Sequence, residues 1–90
     1  MATFRLPPVL RPFAGGERTV GADGATLRAA LTALVTAHPG LAKHLLDDAG
    51  EQTAFVNLYV DNEDVRTRDG LDTALAPAST VIVLPAMAGG

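Results

Sequence analysis

The residues best suited to chemistry lie at the end of the sequence, where mostly small side chains lead to two glycines: Ala86, Met87, Ala88, Gly89 and Gly90. A terminal carboxylate has a pKa of about 3.3 to 3.7, so at neutral pH it is an anion that resists nucleophiles until a leaving group such as AMP is attached. Because glycine has no Cβ, the last residues can enter a narrow channel and leave the Gly90 carbonyl open to attack. The tail therefore suits a carboxylate that a partner enzyme activates, the alternative being that two glycines end a frayed tail by chance.

The remaining side chains give little support for catalysis by the chain itself. The sequence has no cysteine, which excludes disulfides, zinc–thiolate sites and thiol nucleophiles. It contains no phosphate-binding glycine loop, paired-carboxylate motif or metalloprotease motif. We therefore expect a protein that is not an enzyme and that binds no metal and no cofactor of its own.

Two groups of polar residues could be taken for metal or catalytic sites, but simpler interpretations exist. Asp61, Glu63 and Asp64 lack the ligand spacing and the later glutamate of a calcium loop, so we interpret them as a solvated turn. His38 and His44 have no candidate nucleophile beside them in the sequence. We expect both histidines to be structural or exposed.

The elements that must position the tail begin with a predicted hairpin. Residues 3–6 alternate polar and apolar side chains like a strand, and Pro7-Pro8 interrupts the pairing before an irregular strand end at residues 9–11. Gly15-Gly16 is a turn signal that precedes a second strand at residues 17–20.

From Thr26 onward the apolar spacing changes to that of a helix. The apolar stripe consists of Leu27, Ala30, Leu31, Leu34 and Val35. Thr26 can cap the first turn, and Pro39-Gly40 stops the helix because proline disfavours helical backbone at the residue before it. A short second helix is expected at residues 41–46.

The C-terminal half predicts three further strands. Residues 55–60 are rich in β-branched and aromatic side chains, residues 61–63 turn the chain, and residues 64–66 pair back briefly. After a connector at residues 71–75, residues 80–84 are a nearly continuous run of β-formers, typical of a central strand that Pro85 ends. Because one amphipathic helix needs one sheet face to cover, these elements predict an α+β domain over residues 1–85 and a tail at residues 86–90.

Strand alternation divides the side chains of the third and last strands between two faces. If the helix covers the set that contains Val56 and Val60, the opposite face presents an apolar patch. The patch consists of Phe55, Tyr59, Ile82 and Leu84. We expect this patch to dock a partner beside the tail, the alternative being that loops cover it. Arg66 and Arg68 could in addition hold a carboxylate of the partner, or remain solvated charges.

Composition and charge exclude several kinds of partner. The 90 residues are 48% hydrophobic, which is enough for a folded core, and the formal net charge is −3 with a pI near 5.1. The basic footprint that nucleic acids require is missing, and no apolar run approaches the roughly 20 residues that cross a bilayer. The N-terminal residues also lack the apolar region of a signal peptide. We therefore expect a cytoplasmic protein with no nucleic-acid or membrane partner.

Four blocks of sequence carry a resemblance to a known family. They are Phe55-Val56-Asn57-Leu58-Tyr59-Val60, Glu63-Asp64-Val65-Arg66, Gly70-Leu71 and Val81-Ile82-Val83-Leu84-Pro85 with the tail that follows. Together the blocks resemble the MoaD/ThiS family of ubiquitin-like sulfur carriers over nearly the whole chain. The Gly-Gly end is shared by all ubiquitin-like proteins that are activated at their C-terminus, whereas the first two blocks are most similar to the actinobacterial cysteine-synthesis branch.

This resemblance implies a β-grasp fold, in which a mixed sheet of four to five strands packs on one main helix. It implies that a ubiquitin-activating-type enzyme uses ATP to adenylate Gly90, that Gly90 becomes a thiocarboxylate, and that residues 86–89 reach into the partner's active site. The sulfur would then pass to a cysteine synthase of the pyridoxal-phosphate type or to another thiolating enzyme, and a metalloprotease would release the cysteine.

Three alternatives remain open at this point. The same tail suits the small subunit of a molybdopterin synthase, and it suits a ubiquitin-like modifier that is joined to lysines through Gly90. A non-covalent β-grasp binding module would not need the Gly-Gly end.

Overall fold

Five strands form one mixed sheet in the computed structural model, which describes residues 1–86. The strands are β1 (Ala2–Arg5), β2 (Thr19–Ala22), β3 (Val56–Val60), β4 (Glu63–Asp64) and β5 (Thr80–Pro85). Their order across the sheet is β2-β1-β5-β3-β4. β5 runs parallel to β1 and antiparallel to β3, and the other neighbours are antiparallel. The last strand along the chain is therefore the middle strand of the sheet, as its continuous run of β-formers predicted.

One helix of three turns, α1 (Leu27–Ala37), covers one face of this sheet. The Thr26 side chain caps it by accepting a hydrogen bond from the Ala29 amide at 3.2 Å. A 3₁₀ turn at Pro39–Leu41 follows and leads into α2 (Ala42–Leu45), so the predicted cap, stop and second helix are all confirmed. Neither the length nor the apolar character needed to span a bilayer is found in any helix within residues 1–86.

The core lies between α1 and the inner face of the sheet. The helix contributes buried Leu27, Ala30, Leu31 and Leu34, and the strands contribute buried Phe4, Leu58, Val60, Val81 and Val83. Each large apolar side chain stabilises the fold by about 1.5–3 kcal/mol when it is fully buried. The helix thus covers the valine-rich side of β3 and β5, and the other side of the central strands faces away from the core.

The first hairpin differs from its sequence prediction in two places. β1 ends at Arg5, and the expected strand extension at residues 9–11 is wrong because the chain instead enters a 3₁₀ turn at Arg11–Ala14. Gly15 ends this turn with a left-handed φ of 67°, and β2 begins at Thr19, two residues later than expected. Pro7 and Pro8 have no backbone N–H to donate to a neighbouring strand. Their carbonyls instead accept turn hydrogen bonds from the amides of Leu10 and Arg11.

A tight turn joins β3 to β4. Its two central residues, Asp61 and Asn62, have φ values of 49° and 73°. Positive φ at both positions is the requirement of a type I′ turn, whose twist matches that of the flanking strands, and Asp and Asn tolerate it best among residues with a side chain. The turn predicted at residues 61–63 is therefore formed by Asp61 and Asn62, whereas Glu63 and Asp64 form β4, and Val65–Thr67 form a 3₁₀ turn in place of the rest of the strand expected at residues 64–66.

Candidate functional site

Ala86, the first residue of the predicted tail, directly follows the middle strand. One residue beyond β5, the Ala86 amide donates a hydrogen bond to the Phe55 carbonyl at 2.8 Å and so extends the pairing with β3 by one step. β1 pairs with β5 only from Thr80 to Ile82, whereas β3 pairs with β5 through Pro85, so β3 alone holds the last residues of β5. Of the predicted tail, Ala86 is described. Met87, Ala88, Gly89 and Gly90 lie outside the described residues, and the predictions for them remain predictions.

One row of paired residues crosses the outer face of the sheet, which is the face away from α1. The row runs through all five strands as Thr19, Arg5, Ile82, Tyr59 and Asp64. Directly paired residues in neighbouring strands project on the same side, so this row places Ile82 and Tyr59 between the charged side chains of Arg5 and Asp64. Leu84 lies on the same face as Ile82, two residues further along β5, and is 44% exposed.

Three of the four predicted docking residues lie together on this face. Tyr59, Ile82 and Leu84 line one shallow depression, which we call the outer patch. Tyr59 and Ile82 are half-buried, so their rings and branches are supported by neighbours while one side remains accessible. No loop among residues 1–86 buries the outer patch, and the arrangement suits contact with the surface of another protein.

Phe55, the fourth predicted docking residue, lies elsewhere. It precedes β3 by one residue, is 74% exposed, and lines a separate hollow with Val9 and His44. Because β3 begins at Val56, strand alternation does not determine on which face of the sheet the Phe55 side chain lies. Phe55 still lies beside the tail, because its carbonyl is the group that receives the Ala86 amide.

The charged end of the row is an internal ion pair. The Arg66 side chain donates to both Asp64 oxygens, from Nη2 to Oδ2 at 2.8 Å and from Nε to Oδ1 at 3.2 Å. These side-chain hydrogen bonds, followed by one from the Arg66 amide, lower the pKa of Asp64, and the same pair raises the pKa of Arg66. Arg68 lies 3.6 Å from Glu63. Both arginines considered for a partner carboxylate therefore already contact carboxylates of this chain.

Asp61 has a role that the sequence analysis missed. Its Oδ1 accepts a hydrogen bond from the Thr80 amide at 3.0 Å, and its Oδ2 accepts one from the Ser79 hydroxyl at 3.1 Å. Ser79 is only 4% exposed, so this carboxylate serves a buried partner at the start of β5. Asp61 and Ser79 are 18 residues apart in the sequence. The one sequence signal for this hydrogen bond is an aspartate at the first position of the predicted turn. Across residues 1–86, no group of three or more histidine, cysteine, aspartate or glutamate side chains is arranged to hold a metal ion.

The two histidines have different surroundings. His44 is half-buried and packs against Phe13, with ring centroids 4.5 Å apart and ring planes tilted by 38°, and its Nε2 atom has no hydrogen-bond partner in the described part of the chain. His38 follows α1, where its amide donates to the Leu34 carbonyl. These contacts agree with the structural roles expected for both residues.

Comparison with known proteins connects this geometry to a family. The family model for ThiS proteins matches residues 5–90, which is nearly the whole chain. The chain belongs to the ThiS family. The sulfur carrier protein CysO of Mycobacterium tuberculosis is 43% identical to it over 90 residues, and the match covers 98% of this chain and 97% of CysO. The crystal structure of that CysO has a TM-score of 0.89 and covers 97% of this chain and 100% of its own.

One further solved structure and one further relative are also similar to this chain. A chain of the Amycolatopsis orientalis BexX/CysO complex has a TM-score of 0.91 and 36% identity, and the match covers 100% of both chains. The small archaeal modifier protein 3 of Haloferax volcanii is 38% identical over 68 residues, covering 76% of this chain and 73% of that protein. The resemblance inferred from the four sequence blocks is confirmed, and so is the ubiquitin-like β-grasp fold. This ThiS-family chain is a homologue of a sulfur carrier.

Proposed function

We propose that this chain is a sulfur carrier protein that works through a thiocarboxylate at Gly90. One observation carries the proposal: the middle strand of a sheet shared with CysO leads through Pro85 directly into the Gly-Gly tail. The identity of 43% to CysO over 98% of the chain supports the same function. The chain itself acts as a protein co-substrate, and its partner enzymes supply the catalysis.

The proposed chemistry begins with activation of Gly90 by a ubiquitin-activating-type enzyme. An oxygen of the Gly90 carboxylate attacks the α-phosphate of ATP, pyrophosphate leaves, and a mixed anhydride with AMP forms. Hydrogen sulfide ion, as the sulfur source, then attacks the Gly90 carbonyl carbon, AMP leaves with one carboxylate oxygen, and the proton on sulfur is lost to solvent. AMP is a far better leaving group than oxide, which is why activation must come first. The product is a thiocarboxylate whose sulfur is anionic near neutral pH and nucleophilic.

The length of the tail requires close contact between carrier and enzyme. The four residues from 87 to 90 span at most roughly 14 Å when fully extended. An enzyme that reaches Gly90 must therefore bring its surface against the domain near Pro85. The outer patch of Tyr59, Ile82 and Leu84 lies on this side of the molecule and is the docking surface that we assign to the enzyme.

We propose cysteine synthesis as the use of the sulfur. The thiocarboxylate sulfur forms a bond to the β-carbon of an activated serine derivative held by a pyridoxal-phosphate enzyme, and the former β-substituent leaves. The amine of the new residue then attacks the Gly90 carbonyl, which releases the thiol and leaves cysteine joined to Gly90 by an amide. Hydrolysis by a metalloprotease frees cysteine and restores the carboxylate. The identity of 43% to CysO supports this acceptor.

Intact-mass analysis tests the carrier function directly. The full chain is incubated with ATP, the adenylating enzyme of the same organism and a sulfur source, and the expected result is a mass gain equal to replacing one oxygen by sulfur. Oxidation of Met1 or Met87 adds nearly the same mass, so a reaction without ATP is the matched control. An equal gain with and without ATP would contradict the proposal.

The choice of acceptor is tested with the purified thiocarboxylate protein. It is offered separately to the cysteine-forming enzyme and to the large subunit of molybdopterin synthase from the same organism. We expect turnover with the cysteine-forming enzyme. Turnover only with the molybdopterin enzyme would refute the cysteine assignment, whereas turnover with both would indicate a shared carrier.

A second function is supported by the identity of 38% to small archaeal modifier protein 3. In that case the activated Gly90 is attacked by a lysine amine of another protein, and an isopeptide bond forms. The same intact-mass reaction distinguishes the two functions when cell proteins are added. Ladders of higher-mass adducts support the modifier, and a single sulfur exchange without adducts supports the carrier.

A further inference from the structure

The charges of this acidic chain are divided unevenly. Eight of its ten carboxylate side chains lie between residues 47 and 72, whereas Arg5, Arg11 and Arg18 all belong to the first 18 residues. Arg28, Arg66 and Arg68 each form an ion pair with an aspartate or a glutamate. Within residues 1–86, none of the three N-terminal arginines has such a partner. Their positive charge is therefore available to another molecule.

The fold brings these three arginines to one place. They line an open depression of about 680 Å³, which we call the arginine hollow, together with Ile82, Leu84 and Pro85. Arg5 on β1 pairs in register with Ile82 on β5. The Arg18 carbonyl accepts a hydrogen bond from the Leu6 amide at 2.8 Å, and the Arg11 Nε donates to the Leu6 carbonyl at 3.2 Å. Backbone pairing thus positions Arg5 and Arg18, and a side-chain hydrogen bond positions the Arg11 guanidinium.

The occupant of the arginine hollow must match its chemistry and its location. The depression is far larger than a single inorganic anion, and apolar side chains of β5 line it beside the guanidinium groups. A surface that combines carboxylates with apolar side chains satisfies both features. The hollow also borders the last residues of β5 and shares Ile82 and Leu84 with the outer patch. An enzyme that reaches Gly90 must cover it, given the short tail.

We infer that the arginine hollow docks an acidic surface of the enzyme that activates Gly90. This inference rests on the proposed function and adds the chemical nature of the contact. Arginine binds carboxylates in a bidentate way, so three guanidinium groups can define the orientation of the carrier on the enzyme. The positive charge of the arginine hollow also favours its approach to a negative surface. The hollow therefore contributes mainly to the rate and orientation of association.

The test compares two substitutions that change the net charge equally. Arg18→Glu alters the arginine hollow, and Lys43→Glu makes the same charge change on α2, whose Lys43 is exposed and does not line the hollow. The readout is kcat/KM for thiocarboxylate formation by the cognate adenylating enzyme with ATP, measured at ionic strengths near 0.1 M and 1 M. The screening length falls from about 10 Å to about 3 Å between these conditions.

We expect Arg18→Glu to lower kcat/KM by roughly threefold to tenfold at low salt, with a return toward the wild-type value at high salt. Lys43→Glu should behave like the wild type under both conditions. The inference would be overturned if Arg18→Glu had the same kcat/KM as the wild type. It would also be overturned if both variants lost kcat/KM equally, or if high salt did not relieve the loss in Arg18→Glu. Arg5→Gln, which removes a charge without reversing it, gives a second measurement should Arg18→Glu unfold. Failure of the proposed function would give a different result, because the wild-type chain would then acquire no sulfur.

Discussion

The amide of Ala86 donates a hydrogen bond to the carbonyl of Phe55 at 2.8 Å, one residue after the middle strand ends. This bond is the last pairing of the sheet within residues 1–86, and the tail that we propose as the substrate of a partner enzyme follows it in the sequence. The sheet positions the exit of the tail, the outer patch and the arginine hollow surround that exit, and Gly90 carries the reacting group in the function that we propose.

Adding one residue after Gly90 should abolish adenylation while leaving the fold intact. The reacting carboxylate would move to the added residue, whereas the core and the β5 pairings lie before residue 87. Pyrophosphate release with the adenylating enzyme measures activation, and urea unfolding measures the fold. An extended chain that still accepts sulfur, with the wild-type unfolding midpoint, would refute a reaction at the Gly90 carboxylate.

Leu84→Asp should weaken binding to the adenylating enzyme at little cost in stability. Leu84 is 44% exposed on the outer face, and truncating or charging a central interface residue commonly costs 1–2 kcal/mol or more, which corresponds to a loss of about tenfold in affinity. Tyr59→Asp should act in the same direction. Binding is measured by titration calorimetry and stability by urea unfolding.

Val83→Asp is the matched contrast for Leu84→Asp, because Val83 is the neighbouring residue on β5 and is buried against the core. An unpaired carboxylate there should unfold the protein or destabilise it severely. If Leu84→Asp destabilised the chain as strongly as Val83→Asp does, Leu84 would be a core residue and its assignment to a docking surface would be wrong.

Asp61→Ala should destabilise the domain by about 1–3 kcal/mol. The substitution removes the acceptors for the buried Ser79 hydroxyl and the Thr80 amide, and it places alanine at a left-handed φ of 49°. Asp61→Asn should cost less, because asparagine tolerates this conformation and keeps one acceptor oxygen. The free energy of unfolding in urea decides the matter. Asp48→Ala is the control on an exposed loop, and a loss of equal size there would remove the special role of Asp61.

Stability should fall at acid pH in part because of Asp64. Its pKa is lowered in the folded state by the hydrogen bonds from Arg66, so the folded protein binds this proton less readily than the unfolded chain does. The contribution is therefore present above the ordinary aspartate pKa of about 3.9 and is lost as the pH falls through the lower folded value. Unfolding measured between about pH 7 and pH 2 should show a shallower acid decline in Asp64→Asn. An unchanged pH profile in that variant would contradict the assignment.

Local rules predicted the elements whose causes are local. The Thr26 cap and the spacing of Leu27 to Leu34 lie within one segment, and the run from Thr80 to Leu84 needs no partner to be recognised as a buried strand. The β-grasp architecture followed from these elements and from the resemblance. Alternation also placed Tyr59, Ile82 and Leu84 on one face correctly, because all three lie inside paired strands.

The parts that escaped prediction depend on contacts between distant segments or on strand ends. Asp61 meets Ser79 only because the β3–β4 turn lies beside the start of β5. Phe55 lies one residue outside β3, where alternation no longer applies. Arg5, Arg11 and Arg18 look scattered in the sequence. They line one hollow because Arg5 ends β1, Arg18 directly precedes β2, and Arg11 begins the 3₁₀ turn found in place of an expected strand end. The spacing of side chains along the sequence does not reveal such contacts between distant segments.

The most direct test of the central claim locates the sulfur on the chain. The sequence has no cysteine, so the thiocarboxylate would be the one sulfur nucleophile that iodoacetamide modifies readily. After reaction with ATP, the adenylating enzyme and a sulfur source, the chain is treated with iodoacetamide and fragmented in the mass spectrometer. Our account predicts a single adduct on C-terminal fragments that contain Gly90, and no adduct when ATP is omitted. An ATP-dependent sulfur located on any other residue, or an unmodified Gly90 under these conditions, would contradict it.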